Sequence, residues 1–226
     1  KPKKGMNSYN LAAKNPAQNI IYLIDDKKVI QSHVSLMVIG EEINNNDKIW
    51  APAFNNYFGR GMFSLVFQEI REFRSFSYMA YGYYNTPDEN GKPGYLLGRM
   101  STQADKTGEA TKVFADLITH MPERKERVET VKSSLIQTIN SKRPSFRHLS
   151  AKIAAWQKQG YTNDPRIERF EIYEKMQFDD IHSFYDKHIK DKNLIIAIVG
   201  DKKRMNMEEL QQLGEIVELK KKEIIR

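Results

Sequence analysis

The sequence predicts an α+β fold: an antiparallel-dominated mixed sheet with helices packed on one face. Short runs near the start alternate apolar and polar residues, aromatic residues crowd a second pair of runs, and the long middle carries apolar positions three and four apart. Period two marks strands and a period near 3.6 marks helices. Strands followed by a block of helices read as α+β rather than as repeated strand–helix units.

Residues 1–16 are polar, carry Pro2, Gly5 and Pro16, and are expected to be a lead-in. Asn19 to Asp25 (NIIYLID) and Gln31 to Ile39 (QSHVSLMVI) predict two antiparallel strands joined by the turn Asp25-Asp26-Lys27-Lys28. A helix is expected around 47–57, and a second from Met62 to Phe73, with Met62, Leu65, Val66, Ile70 and Phe73 at helical spacing behind Gly59-Arg60-Gly61. Phe76 to Tyr84 reads as an aromatic strand. Gly94 to Gln103 reads as its hairpin partner across the turn signal Asp88-Glu89-Asn90-Gly91.

Ala110, Val113, Phe114, Leu117, Ile118 and Met121 then trace one face of an amphipathic helix that Pro122 ends. Val128, Val131, Leu135 and Ile139 line a helix of 123–141, broken by Pro144. Phe146, Leu149, Ile153 and Trp156 line a third, with Gly160 placed to stop it. Asn163-Asp164-Pro165 starts a fourth, and Asp179 is expected to cap a fifth over Ile181, Phe184 and Tyr185. Asn193 to Gly200 (NLIIAIVG), apolar throughout, predicts a central strand. Met207 to Leu213 is expected to be a small helix and Glu215 to Leu219 an edge strand. The main domain is expected over 17–219, with a basic tail at 220–226.

Composition excludes several classes. The 226 residues carry 36 Lys plus Arg against 29 Asp plus Glu, a formal charge of +7, which is mild for this length. The absence of cysteine removes disulfides, thiolate metal sites and a cysteine nucleophile. No apolar run reaches the 18 or so residues of a spanning helix, and Lys1-Pro2-Lys3-Lys4-Gly5 has no apolar segment behind it to make a signal peptide. A first residue other than methionine points to a piece of a longer chain.

The five histidines, His33, His120, His148, His182 and His188, include no pair four apart, the spacing that puts two imidazoles on one helix face. They read as solvated or helix-end residues. Gly59-Arg60-Gly61 precedes a helix but lacks the third glycine and the Gly-Lys-Ser/Thr of a phosphate cradle. No G-x-S-x-G elbow occurs. Tyr78, Tyr81, Tyr83 and Tyr84 beside Arg60, Arg71, Arg74 and Arg99 resemble a stacking platform for oligonucleotides. Glu69 and Glu72 interrupt the basic residues, however, so the tyrosines read as a strand packed against the helices, and nucleic acid is not an expected partner. The cluster Glu123 to Arg127 reads as a solvated helix face.

Residues 55–82 (NNYFGRGMFSLVFQEIREFRSFSYMAYG) carry the most specific signal. Phe58-Gly59-Arg60-Gly61-Met62-Phe63-Ser64 makes a glycine-containing turn, Phe67 to Glu72 a helix, and Arg71 and Tyr78 stand seven apart. This stretch resembles the non-catalytic C-terminal domain of the pitrilysin/insulinase type of zinc metallopeptidase, whose relatives include the mitochondrial processing peptidase and the core proteins of respiratory complex III. Gln31-Ser32, Asn193 to Asp201 and Leu213 to Val217 extend the likeness over roughly 17–219. Two departures stand out: Ser75-Phe76-Ser77 replaces a run of small residues, and Arg60 sits where glycine is common.

The resemblance implies a division of labour. The family's zinc motif, H-x-x-E-H, is missing here, so the zinc and the general base are expected in a partner half, on the same polypeptide or another subunit. This chain is not expected to cleave peptides alone. By the resemblance Arg71 and Tyr78 hold substrate carbonyls and stabilise the transition state of an unfolded peptide, with Gly59 and Gly61 forming the turn beside them. Bacterial relatives often sit in the cell envelope. The alternative is a catalytically inactive assembly module of the same fold.

Overall fold

The structure, a computed structural model, describes residues 14–88, 90–142 and 144–224. The expected lead-in therefore lies, except for 14–16, outside the described residues. Fourteen named elements follow along the chain: β1 (Ile20–Asp25), β2 (Gln31–Ile43), α1 (Asn45–Phe58), β3 (Ala80–Asn85), β4 (Lys92–Gln103), α2 (Thr107–Thr119), α3 (Val128–Ser141), α4 (Leu149–Lys158), α5 (Pro165–Lys175), α6 (Phe178–His188), β5 (Ile195–Gly200), α7 (Met207–Gln211), β6 (Glu215–Glu218) and α8 (Lys221–Ile224). The strands form one six-stranded sheet ordered β3-β4-β2-β5-β1-β6. The β3–β4, β4–β2 and β2–β5 pairs are antiparallel, and β1 runs parallel to both β5 and β6. The expected α+β class is the observed one.

The helices pack on one face. Along β2, Val34, Leu36 and Val38 are buried under them while His33, Ser35 and Met37 point to the uncovered face, as period-two geometry requires. The core runs beneath the sheet through Phe54, Phe58, Tyr84 and Phe184, with ring centroids 5.0–5.6 Å apart. Aromatic pairs at this spacing add roughly 0.5–1.5 kcal/mol beyond the area they bury. Asn44 starts α1 with a capping box: its side chain accepts from Asp47 N at 3.0 Å, and Asp47 reaches back to Asn44 N.

Several expectations are corrected. β1 and β2 are not hairpin partners, because β5 lies between them. The apolar β5 needs a ladder on both edges, and the chain leaving β1 steps over its end, with Asp26 N donating to Gly200 O at 2.9 Å. The helix expected from Met62 to Phe73 is shorter: residues 61–64 form a turn, and Phe67–Glu72 is a π-helical turn. Leu65, Val66 and Ile70 are buried; Met62 is exposed because it lies in the turn before the helix, and Phe73 because the wider π turn changes the phase.

The aromatic strand begins at Ala80, not Phe76. Of its four tyrosines only Tyr84 enters the core. Gly82 and Tyr84 take the helix side, so Tyr81 and Tyr83 point the other way, and Tyr78 precedes the strand. The cap of α6 is Gln177, whose box partner is Asp180, whereas Asp179 lies inside the first turn. Helix α4 has no buried residue, so Phe146, Leu149 and Ile153 are exposed. His188 is fully buried rather than solvated. Within the expected basic tail, α8 forms and Lys221 pairs with Asp26 at 3.3 Å.

Candidate functional site

The site grows from the contact between α1 and the edge strand β3. Gly59 follows the last turn of α1, and Gly82 N donates to Gly59 O at 3.3 Å. A Cβ on Gly59 would come within 2.2 Å of Gly82 O, so the two backbones approach as closely as glycine permits. One turn earlier, Asn55 closes the rest of the edge. Its amide nitrogen donates to Tyr84 O at 3.0 Å, and its carbonyl oxygen accepts from Tyr84 N at 2.5 Å. The outer N–H of Gly82 and both outer backbone groups of Tyr84 are thus paired within the chain, which removes most of a free strand edge.

From this anchor Gly61, at φ +91°, turns the chain into the π-helical segment. Ser64 Oγ donates to Gly61 O at 2.8 Å and steadies the turn. The π turn ends with Ser75 in the left-handed region at φ +52°, while Phe76 N donates to Ile70 O at 2.9 Å. This is a Schellman-type stop at a position that usually holds glycine. The departure at Ser75 therefore costs strain without preventing the turn. The next serine is an anchor: Ser77 is buried, accepts from Ser101 N on β4 at 3.3 Å and donates to Met79 O at 2.8 Å. Ser77 faces inward, and Tyr78 is thrown outward.

Arg71 and Tyr78 meet there. The Arg71 guanidinium carbon lies 4.3 Å from the centre of the Tyr78 ring and 4.7 Å from that of Phe67. A guanidinium over an aromatic face is held by about 0.5–1 kcal/mol at an exposed site. Arg71 Nε lies 3.4 Å from a Glu72 carboxylate oxygen, and the Arg71 side chain keeps 34% of its surface exposed. Tyr78 is 83% exposed. Among the described residues, neither the terminal nitrogens of Arg71 nor the Tyr78 hydroxyl has a hydrogen bond to the protein.

Beside the pair lies a cleft of about 490 Å³ lined by Gly59, Arg60, Gly61, Met62, Phe67, Ala80, Tyr81 and Tyr83. Phe67 is common to the cleft wall and the Arg71 stack. Tyr81 and Tyr83 stack at 6.3 Å, and Arg60 sits 5.0 Å over the Tyr83 ring, so the second departure supplies a cation to the cleft. Met62 on its wall is exposed, as are Phe63, Phe73, Tyr78 and Met79 in the same stretch of chain. The expected residues Gly59, Gly61, Arg71 and Tyr78 thus belong to one surface. Sequence reasoning missed Phe67, Ser77 and Asn55. Phe67, four residues before Arg71 on a helical segment, was the one of the three with a readable signal.

Among the described residues, no group of three or more His, Asp or Glu is placed to hold a metal ion. Nor is any helix long and apolar enough to cross a membrane.

Comparison with known proteins bears on the whole chain. No curated protein matches the sequence. Among solved structures, the peptidase M16 inactive domain from Pseudomonas fluorescens is similar, with 18% identity and a TM-score of 0.67 over 88% of this chain and 47% of that one. The periplasmic protease PqqL from Escherichia coli has 15% identity and a TM-score of 0.62, covering 86% of this chain and 22% of that one. A chain of complex III from Candida albicans has 14% identity and a TM-score of 0.60, covering 87% and 49%. At these identities the likeness is one of fold, and this chain spans about half the length of the first of them. Residues 7–135, more than half of the sequence and including the whole Gly59–Tyr83 site, match the family described as the peptidase M16 inactive domain. The chain belongs to that family, the non-catalytic half expected from the Arg71–Tyr78 stretch.

Proposed function

We propose that this chain binds an unfolded peptide and completes the active site of a zinc-bearing partner half. The observation that carries the reading is the pairing of Arg71 with Tyr78 on an exposed surface beside an aromatic cleft, with the terminal nitrogens of Arg71 and the hydroxyl of Tyr78 free of hydrogen bonds among the described residues. The partner's zinc would polarise the scissile carbonyl and activate water. This chain's own part is hydrogen bonding. Arg71 presents two terminal donors from a fixed planar fork, suited to a peptide carbonyl. Tyr78 can donate its hydroxyl to the oxygen that gains charge in the transition state, and one such donor is typically worth about 2.7–4 kcal/mol. Stacking on Phe67 and Tyr78 limits the rotation of Arg71, so less freedom is lost when substrate arrives.

The test is reconstitution. Peptide turnover by the zinc-bearing half is measured with and without this chain, and turnover should require both. A zinc-bearing half that is fully active alone would end the proposal. The second reading, an inactive assembly module, is favoured by the exposed Met62, Phe63, Phe73 and Met79, which suit a protein interface. That reading predicts a stable complex between the halves with no turnover.

A further inference from the structure

Next to the aromatic cleft, sharing Arg60 and Tyr83 with it, lies a cavity in which cations outnumber carboxylates among the described residues. Lys48 on α1 is only 7% exposed, and its ammonium donates to the backbone oxygen of Asp88 at 3.2 Å. Arg169 on α5 donates from Nη2 to the Tyr161 hydroxyl at 3.3 Å, while its Nε is buried without a hydrogen-bond partner. Both line this polar cavity of about 330 Å³, together with Arg60 and Lys152. Asp88 is the acidic residue among the described lining, and none of these four cations lies within ion-pair distance of a carboxylate among the described residues. Burial pushes the Lys48 ammonium below its usual range; Asp88 opposes this and Arg169 adds repulsion. A buried ammonium is costly unless a negative charge faces it, so a cavity that holds the buried Lys48 and the orphaned Nε of the half-buried Arg169 favours an anion.

The polar cavity adjoins a second space. Pro52, Lys152, Trp156 and Arg169 line both the cavity and a larger pocket of about 570 Å³ between α3, α4 and α5. That pocket is walled by Leu135, Ile139, Ala151, Ala155 and Tyr173, and no carboxylate lines it among the described residues. It lies open because α4 buries no residue of its own against the body. Pockets of this size, mostly apolar with a few convergent polar groups, suit small ligands.

We propose that this double pocket binds a small anionic amphiphile, a carboxylate on a hydrocarbon chain. The head group lies between Lys48 and Arg169, and the chain lies against Leu135, Ile139 and Trp156. Charge complementarity selects the head and the apolar walls select the tail. The cavity shares Arg60 and Tyr83 with the cleft beside Arg71, but the proposal does not rest on the peptidase reading.

The test is calorimetric titration of the 226-residue chain with decanoate below its micelle concentration, with decanol, and with inorganic phosphate. Decanoate should bind one to one, at least tenfold tighter than either control. Arg169→Met should weaken decanoate at least tenfold and bring it level with decanol. Lys48→Met should leave the melting temperature of the free protein unchanged or raised, and should shrink the rise that decanoate produces. Ala155→Trp, on the lightly packed α4, fills the pocket and should abolish binding even if the other variants fold poorly. Equal binding of decanoate and decanol, phosphate binding as tight as decanoate, no decanoate binding, or binding indifferent to Ala155→Trp would each overturn the proposal.

Discussion

The α1–β3 junction and the segment from Phe67 to Met79 are neighbours with opposite construction. At the junction two glycines touch, Asn55 pairs both free backbone groups of Tyr84, and the side chains behind them are buried. In the segment the helix is π rather than α, Ser75 is in the left-handed region, and Phe73, Tyr78 and Met79 face solvent. One region spends its residues on fixing a position, and the other spends its residues on a surface. The difference teaches that an exposed Arg–Tyr pair can be held in place by a rigid frame beneath it without being buried itself.

Breaking the frame should have the largest effect. Gly59→Ala places a methyl 2.2 Å from Gly82 O and should cost about 3 kcal/mol in urea unfolding. A loss below 1 kcal/mol would show that the junction yields easily. Asn55→Leu leaves the Tyr84 N–H and C=O without partners and should cost about 2 kcal/mol. A neutral result would mean that water replaces the amide.

The floor under Tyr84 should respond to pH. His188 is fully buried 3.4 Å from the Tyr84 hydroxyl, and its pKa is lowered from 6.5, chiefly by burial. Lys187 and Lys192 reinforce that direction, and Asp47 and Glu41 oppose it. A histidine that is harder to protonate when folded takes up its proton on unfolding. Stability is therefore full above the unfolded pKa and is lost as pH falls below about 6.5, at a slope of at most about 1.4 kcal/mol per pH unit. His188→Phe should remove that slope, and an unchanged slope would place its origin elsewhere. In the exposed segment the sign reverses: Ser75→Gly relieves the left-handed serine and should stabilise by about 1 kcal/mol. A destabilised variant would show that the Ser75 side chain itself supports the turn.

The same contrast explains what was legible in the sequence. Elements buried on one face, such as β2 and α2, announce themselves by period, and Gly160 and Asp164 mark ends where helices do end. Strand order is not local information. Nothing between Asp25 and Gln31 shows that β5, about 170 residues later, will insert between β1 and β2. The π turn escaped because it differs from an α-helix by one residue per turn, and Met62 and Phe73 fit the α pattern by coincidence. Arg71 and Tyr78 were visible only through family resemblance, since spacing alone does not tell a cation over a ring from two solvated side chains. The burial of Lys48 has no mark in the sequence, because desolvation is set by elements far apart in it.

The most direct measurement compares peptide turnover by the zinc-bearing half supplied with native chain, Arg71→Ala or Tyr78→Phe, alongside the melting temperature of each. Tyr78 is exposed and Arg71 partly so, so stability should change by no more than about 1 kcal/mol, the worth of the stack. Turnover should nevertheless fall about a hundredfold for each variant. Native turnover with both variants would contradict the account.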